Sequence, residues 1–407
     1  MRGTFKLALV AALSSHLCFG AAHAADQPST ARAEVGKPVE AAQALVQQKK
    51  YKDALEQLKR ADAVSDKSPY ETYVIEETRA AAEVASGDYA AAVNALDAVL
   101  ATRILSSADS AKRLFTMVEL EYRLKDYPKT VTAAERYYHA GGGEPEPRQL
   151  MAQSYYLEGD FADAAKTLRE VIASDARAGT KPDENTLLTL ASSEFKAKDE
   201  DGYIDALATL VAAYPKHEYW VNLYRAVQQK PGFAPRLALD LDRVAVAVGA
   251  FDTSAQYIDA AETAIEAGFP GDAKSFLDKG FAAGILGQPA SADREKRLRD
   301  MAQHQSGDDT KALPTQAQEA ATAPTGLPLE KLGEAYLSYH RNSDAVAALE
   351  QSIKKGGLDH PEDAKLHLGM AYLAAGDAAQ ANATFAAIVG QDGVADLARM
   401  WRAEEGK

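Results

Sequence analysis

The sequence predicts an all-α chain of helix hairpins stacked on one another as a solenoid. Three observations predict it. A fixed spacing of small and large apolar residues recurs along most of the chain. Gly-Asp pairs interrupt the helical pattern at a matching place in several recurrences. The stretches between interruptions hold good helix formers with their apolar residues on one face.

The clearest copy is "LHLGMAYLAAGDAAQANATF", Leu366 to Phe385. Gly369 is followed by Tyr372 at +3, Ala381 at +12 and Phe385 at +16. The same offsets relate Gly333, Tyr336, Ala345 and Leu349, and also Ala152, Tyr155, Ala164 and Leu168. They recur from Ala42 (Leu45, Ala54, Leu58), Ala80 (Glu83, Ala92, Leu96) and Ala261 (Ala264, Ala273, Leu277). Weaker copies start at Val118 and Ala191. The spacing predicts about ten units of 34 to 39 residues. Gly87-Asp88, Gly159-Asp160 and Gly376-Asp377 mark the turn inside a unit. Glycine tolerates the left-handed conformation that ends a helix, and aspartate caps the next one. Small residues at +0 and +12 let two antiparallel helices approach closely, and larger ones at +3 and +16 fill the space between hairpins. A single hairpin cannot bury its apolar face, so such units come in arrays.

The elements follow in order. Residues 1–24 read as a bacterial signal peptide: Arg2 and Lys6, an apolar run from Leu7, then Ala22-His23-Ala24 before the cleavage point. The expected location is therefore the periplasm of a Gram-negative cell. Residues 25–34 are polar and expected to be disordered. Residues 35–290 carry the repeat array, with a Gly- and Pro-rich loop at Ala140–Pro147 and two less regular stretches, Trp220–Phe251 and Gln256–Gly287. Residues 291–325 read as a charged helix and an Ala/Pro-rich linker, with 306–326 open to being either a weak exposed helix or a flexible hinge. Residues 326–407 hold two further units and a capping helix over Val394–Glu404, with Met400 and Trp401 pointing inward.

This spacing resembles the tetratricopeptide repeat family. The residues that carry the resemblance are those at 145–175, 326–355 and 362–390, supported by 35–65 and 73–101 and, more weakly, by 111–138 and 184–215. Pro215 matches the closing proline of the family, whereas its early tryptophan is absent throughout. The resemblance implies a right-handed superhelix of helix pairs with a concave groove that binds peptides or protein segments. It also implies that the residues at −3, +1 and +4 from each anchor line that groove.

The formal charge is −14, and a leader that removes Arg2 and Lys6 makes the remainder more acidic still. An acidic surface disfavours nucleic acid and anionic lipid as partners. No apolar run after Ala24 is long enough to span a bilayer. The only cysteine, Cys18, lies inside the leader, so disulfides, zinc-cysteine sites and a cysteine nucleophile are not expected. No Gly-x-Ser-x-Gly elbow, phosphate loop or His-Glu-x-x-His occurs. His360 and His367 are separated by Pro361, which argues against one shared helix face and against a metal site. The acidic pairs read as solvated faces, and no segment outside the repeats is large enough for a catalytic domain. No catalytic residue, cofactor or metal is expected.

The groove positions carry the functional expectation. Tyr122, Gln149, Gln153, Tyr156, Phe195, Glu330 and Glu334 fall there. Tyrosine gives apolar area with a polar tip, which suits an extended peptide. No basic clamp for an acidic tail is present, so the expected partner is a neutral or basic protein segment. The expected role is a non-enzymatic scaffold or adaptor in a cell-envelope complex. The alternative of a different class is a platform that binds glycan through its tyrosines beside cell-wall or polysaccharide-export machinery.

Overall fold

The computed structural model describes residues 30–289 and 291–405. The signal-peptide reading of residues 1–24, and residues 25–29 of the expected disordered stretch, lie outside that range. Among the described residues there are twenty α-helices and no strand. The protein is an α-solenoid of paired helices. The chain forms two compact units, which divide after Ser174.

The first unit holds α1 (Ala33–Gln47), α2 (Tyr51–Asp62), α3 (Pro69–Ser86), α4 (Tyr89–Ala101), α5 (Ser107–Leu124), α6 (Tyr127–His139), α7 (Glu146–Glu158) and most of α8 (Phe161–Arg177). The chain is ordered just ahead of α1: the Arg32 guanidinium bonds both carboxylate oxygens of Glu71, at 2.8 and 2.9 Å. That bond holds the Glu71 carboxyl down at about 2. Glu71 also completes a capping box with Ser68 at the start of α3.

The repeat positions are the core. The anchors Ala42, Ala80, Val118 and Ala152 are at most 1% exposed, as are their +12 partners Ala54, Ala92, Thr130 and Ala164. The +16 residues Leu58, Leu96, Ala134 and Leu168 are buried beside them. Gly87 and Gly159 end α3 and α7 in the left-handed conformation, as the Gly-Asp breaks predict. Where the sequence lacks glycine, Lys125 takes the same conformation at φ 61° before Asp126 caps α6. Two copies depart from the pattern chemically. Glu83 and Glu121 stand where a large apolar residue is expected, and both are buried. Burial pushes the Glu83 carboxyl up to about 7 and raises that of Glu121.

The second unit begins in the last turn of α8 and continues with α9 (Glu184–Ala197), α10 (Glu200–Ala213), α11 (His217–Gln228) and α12 (Ala238–Val248). It then holds α13 (Ser254–Glu266), α14 (Pro270–Ala282), α15 (Ala292–Thr322), α16 (Leu327–Ser338), α17 (Asn342–Lys355), α18 (Pro361–Ala374), α19 (Ala378–Ala386) and α20 (Val394–Glu405). The irregular stretch from Trp220 resolves into α11 and α12, joined by the Lys230–Ala234 loop and a short 3-10 turn at Pro235–Leu237. The expected charged helix with a linker is one 31-residue helix, α15, with Pro314 inside it. The room for two units between Ala261 and Gly333 is therefore taken by one pair and this single long helix.

Close helix approach explains the two glycine anchors. A Cβ on Gly369 would sit 2.4 Å from the Phe385 ring, and one on Gly333 would sit 2.5 Å from Leu349. Both contacts join the +0 and +16 positions of one unit. The C-terminal helix is present as expected, with Met400 fully buried and Trp401 partly so. It packs on α18 and α19, and also on α10 and α12 from the start of the same unit.

Candidate partner-binding surface

The seven expected groove residues fall into three settings. Tyr122 on α5 and Gln149, Gln153 and Tyr156 on α7 belong to the first unit. Tyr122 donates its hydroxyl proton to Gln153 Oε1 at 2.9 Å, across neighbouring first helices. Tyr156 is half-buried and meets Phe161 edge-on at 5.4 Å, and Tyr122 meets Tyr127 at 5.9 Å. Next to Tyr156, Leu157 is 52% exposed. The result is a partly exposed aromatic and amide surface, held by the same offset in successive repeats.

The charge around it differs from what the acids suggest. Glu77 sits at a groove position on α3, but Arg113 on α5 bonds it at 2.7 Å. Burial raises the Glu119 carboxyl, favouring its neutral form. The Glu77–Arg113 pair thus leaves this part of the surface less acidic than an inventory of its acids implies.

Phe195 is a second setting, on α9 in the second unit. It is 66% exposed and lies against Tyr203 at 5.3 Å.

Glu330 and Glu334 form the third, and they are not open. Both lie on α16 and are largely buried, with side-chain exposures of 9% and 13%. Arg243 on α12 donates from Nη1 to Glu334 Oε2 at 2.9 Å and to Asp240 Oδ1 at 2.7 Å. It also makes a two-armed bond to Asp272 Oδ2, at 2.8 and 3.0 Å. His367 on α18 is 4% exposed. Its Nε2 is 3.1 and 3.2 Å from the Asp240 carboxylate oxygens and 3.5 Å from Glu334, and its Nδ1 is 3.7 Å from Glu330. Burial alone would lower the imidazolium pKa. Glu334 and Asp240 outweigh it and hold the pKa well above the ordinary value. Their mutual effect keeps Asp240 ionised, since His367 and Arg243 overcome its burial. A donor from each of Asp240, Glu334 and His367 falls within 4.8 Å of the other two, a spacing that fits a cation. Arg243 already places its guanidinium on two of those three residues, so the cation is supplied by the chain itself. Glu330 and Glu334 are thus enclosed by Arg243 of α12 and His367 of α18 rather than lining an open groove.

Sequence reading missed this network. His367 sits one residue beyond a groove position. Its partner Asp240 lies 127 residues away, in the stretch where the repeat spacing fades. Below it, Arg236 bonds Asp363 at 2.7 and 3.0 Å, and lines a 530 Å³ cleft with His360, Glu362 and Asp392.

With this geometry, the comparisons bear on identity. The family model described as "Tetratricopeptide repeat" matches residues 149–176, 186–217 and 363–392. These three segments of the chain match tetratricopeptide repeats. Two of the matched segments hold the surface residues Gln149, Gln153, Tyr156 and Phe195. No curated protein matches the chain. Among solved structures, it resembles putative kinesin light chain repeats from Podospora anserina, at 17% identity over 48% of this chain and 99% of that one, with a TM-score of 0.32. It also resembles the C-terminal part of a repeat protein from Cytophaga hutchinsonii, at 12% identity over 80% and 98%, with a TM-score of 0.31. A third is the TPR2AB domain of yeast Sti1 in complex with pHSP90, at 16% identity over 66% and 98%, with a TM-score of 0.27. At such scores the superpositions carry no argument about superhelix shape or partners. The matched repeats support a protein-interaction scaffold.

Proposed function

We propose that this protein is a periplasmic scaffold of a cell-envelope complex, and that the first unit holds an extended, neutral segment of a protein partner. The observation that carries the reading is the Tyr122–Gln153 hydrogen bond beside half-exposed Tyr156. It places aromatic faces and amide groups on adjacent first helices, where they can pack on side chains and bond a peptide backbone together. The internal pairing of Glu77 with Arg113 supports a neutral rather than a basic segment. The periplasmic location rests on the charged, apolar and small-residue regions of residues 1–24.

The test is co-purification from envelope fractions at two salt concentrations. Recovery of one protein partner, unchanged between 50 mM and 500 mM salt and lost with Tyr156→Glu, is the expected result. A partner that tightens at low salt through an acidic tail would contradict the neutral-segment reading. Capture of glycan alone would favour a carbohydrate platform. Mass spectrometry of the exported protein should find Ala25 as its first residue. An uncleaved N-terminus would remove the argument for the periplasm.

A further inference from the structure

The C-terminal helix α20 does more than cap the last repeat. The chain ahead of it is bound to the start of the second unit as a ligand would be. Ala234 donates its backbone N–H to the Asp392 carbonyl at 2.8 Å. Arg236 pairs with the Asp392 carboxylate. Gly393 adopts φ 106° with its Cα against the Phe233 ring, where a Cβ would meet the ring at 2.4 Å. Asp396 is 1% exposed and accepts from Lys230 at 2.7 Å, and Lys230 also reaches Asp201 on α10. Val394, Leu397, Ala398 and Met400 bury one face of the helix, which packs on α10 and α12.

The fit is incomplete. Arg399 Nε, Trp401 Nε1 and Glu405 Oε2 are all enclosed with no hydrogen-bond partner, on a helix of only 12 residues. These groups belong to α20 itself and their burial unpaired costs free energy, so a competing helix that buries no such groups would bind better. A short connection, residues 387–393, joins α20 to α19.

We propose that α10, α12 and the Lys230–Arg236 loop form a helix-docking site, that α20 occupies it in cis, and that a protein partner enters it with a helix of the same chemistry. That chemistry is a glycine ahead of the helix, a carboxylate three residues later for Lys230, and apolar residues at the spacing of Val394, Leu397, Ala398 and Met400. The tether holds α20 at a high effective concentration, so the site is closed until such a helix competes. This proposal goes beyond the first-unit surface, and the experiment below reads the second unit alone, so either can fail without the other.

The test uses the full chain and a fluorescent peptide of residues 391–405. Gly393→Val puts a branched side chain into Phe233 at a backbone angle that valine rarely adopts. The variant should keep a cooperative melt. Hydrogen exchange of α20 should rise at least tenfold while α13 and α14 stay protected. The peptide should bind the variant at least tenfold more tightly than it binds the wild type. A peptide carrying Leu397→Asp and Met400→Asp should not bind. If Gly393→Val does not fold, Asp396→Asn, which removes the Lys230 partner with little change of shape, takes its place with the same readouts. The proposal is overturned if exchange rises together across α10, α12, α18 and α20, because α20 is then part of one indivisible core. It is also overturned if the folded variant does not bind the peptide, or binds it no better than the wild type does. A stable dimer with wild-type exchange would assign the site to a second copy and overturn the cis assignment.

Discussion

Arg243→Met tests the reading of the buried network most sharply. Four carboxylates, Asp240, Asp272, Glu330 and Glu334, surround two cations, Arg243 and His367. Arg243 is 7% exposed and touches three of those acids at 2.7 to 3.0 Å. Methionine keeps much of the side-chain volume and removes the charge and all of its donors. The acids are then left desolvated with His367 alone. Removing one partner of a buried ion pair costs about 3–5 kcal/mol, because the remaining charge stays buried and uncompensated. At about 2–4 °C per kcal/mol for a unit of this size, the melting midpoint should fall by about 10 °C. The loss should depend on pH. Without the guanidinium, the acids take up protons more readily in the folded state, so the variant should lie closer to wild type at pH 5 than at pH 8. The assay is urea unfolding of the chain at both pH values. A loss below about 1 kcal/mol, or an equal loss at both pH values, would refute the assignment of Arg243 as the cation that neutralises this core.

Three further outcomes follow from the same structure. His367 has a raised folded pKa, so its contribution is complete below its unfolded pKa and is lost as pH rises through the folded value; His367→Gln should therefore destabilise the chain at pH 6 and converge on wild type at strongly alkaline pH, as followed by thermal melts. Gly369→Val would drive side-chain atoms into Phe385 and should cost about 1–3 kcal/mol, with part recovered in the double variant Gly369→Val/Phe385→Leu; a double-mutant cycle with no coupling would count against the close-approach reading. Glu83→Gln removes a buried carboxyl whose pKa is pushed up to about 7, and it should stabilise the chain by about 1 kcal/mol at pH 8 and hardly at all at pH 4, because burial penalises only the ionised form.

The repeat architecture was legible because its information is local. Anchors, +12 and +16 positions lie within one hairpin, and close packing leaves no choice of size at Ala42, Ala54 or Gly369. Helix ends were legible where Gly-Asp pairs occur, and less so where Lys125 adopts the left-handed conformation instead. The first-unit surface could be placed for the same reason, since Tyr122, Gln153 and Tyr156 follow from their offsets. What could not be read is whether a groove position stays open. Glu330 and Glu334 have the same offsets as Gln149 and Gln153, yet Glu334 meets Arg243, 91 residues away, and Glu330 meets His367. Such a partner leaves no trace in a 34- to 39-residue spacing. The long helix α15 was hidden for another reason. Its Ala, Gln and Thr content has only a weak apolar stripe, and Pro314 reads as a stop.

The most direct test of the central claim is site-specific photo-crosslinking in the native host, with the probe at Tyr156 and a control probe at Glu170 on α8. The account predicts one protein partner captured at Tyr156, absent at Glu170, and lost when Gln153→Arg is added. Equal capture at both positions, or capture of glycan only, would contradict a segment-binding surface built on Tyr122, Gln153 and Tyr156.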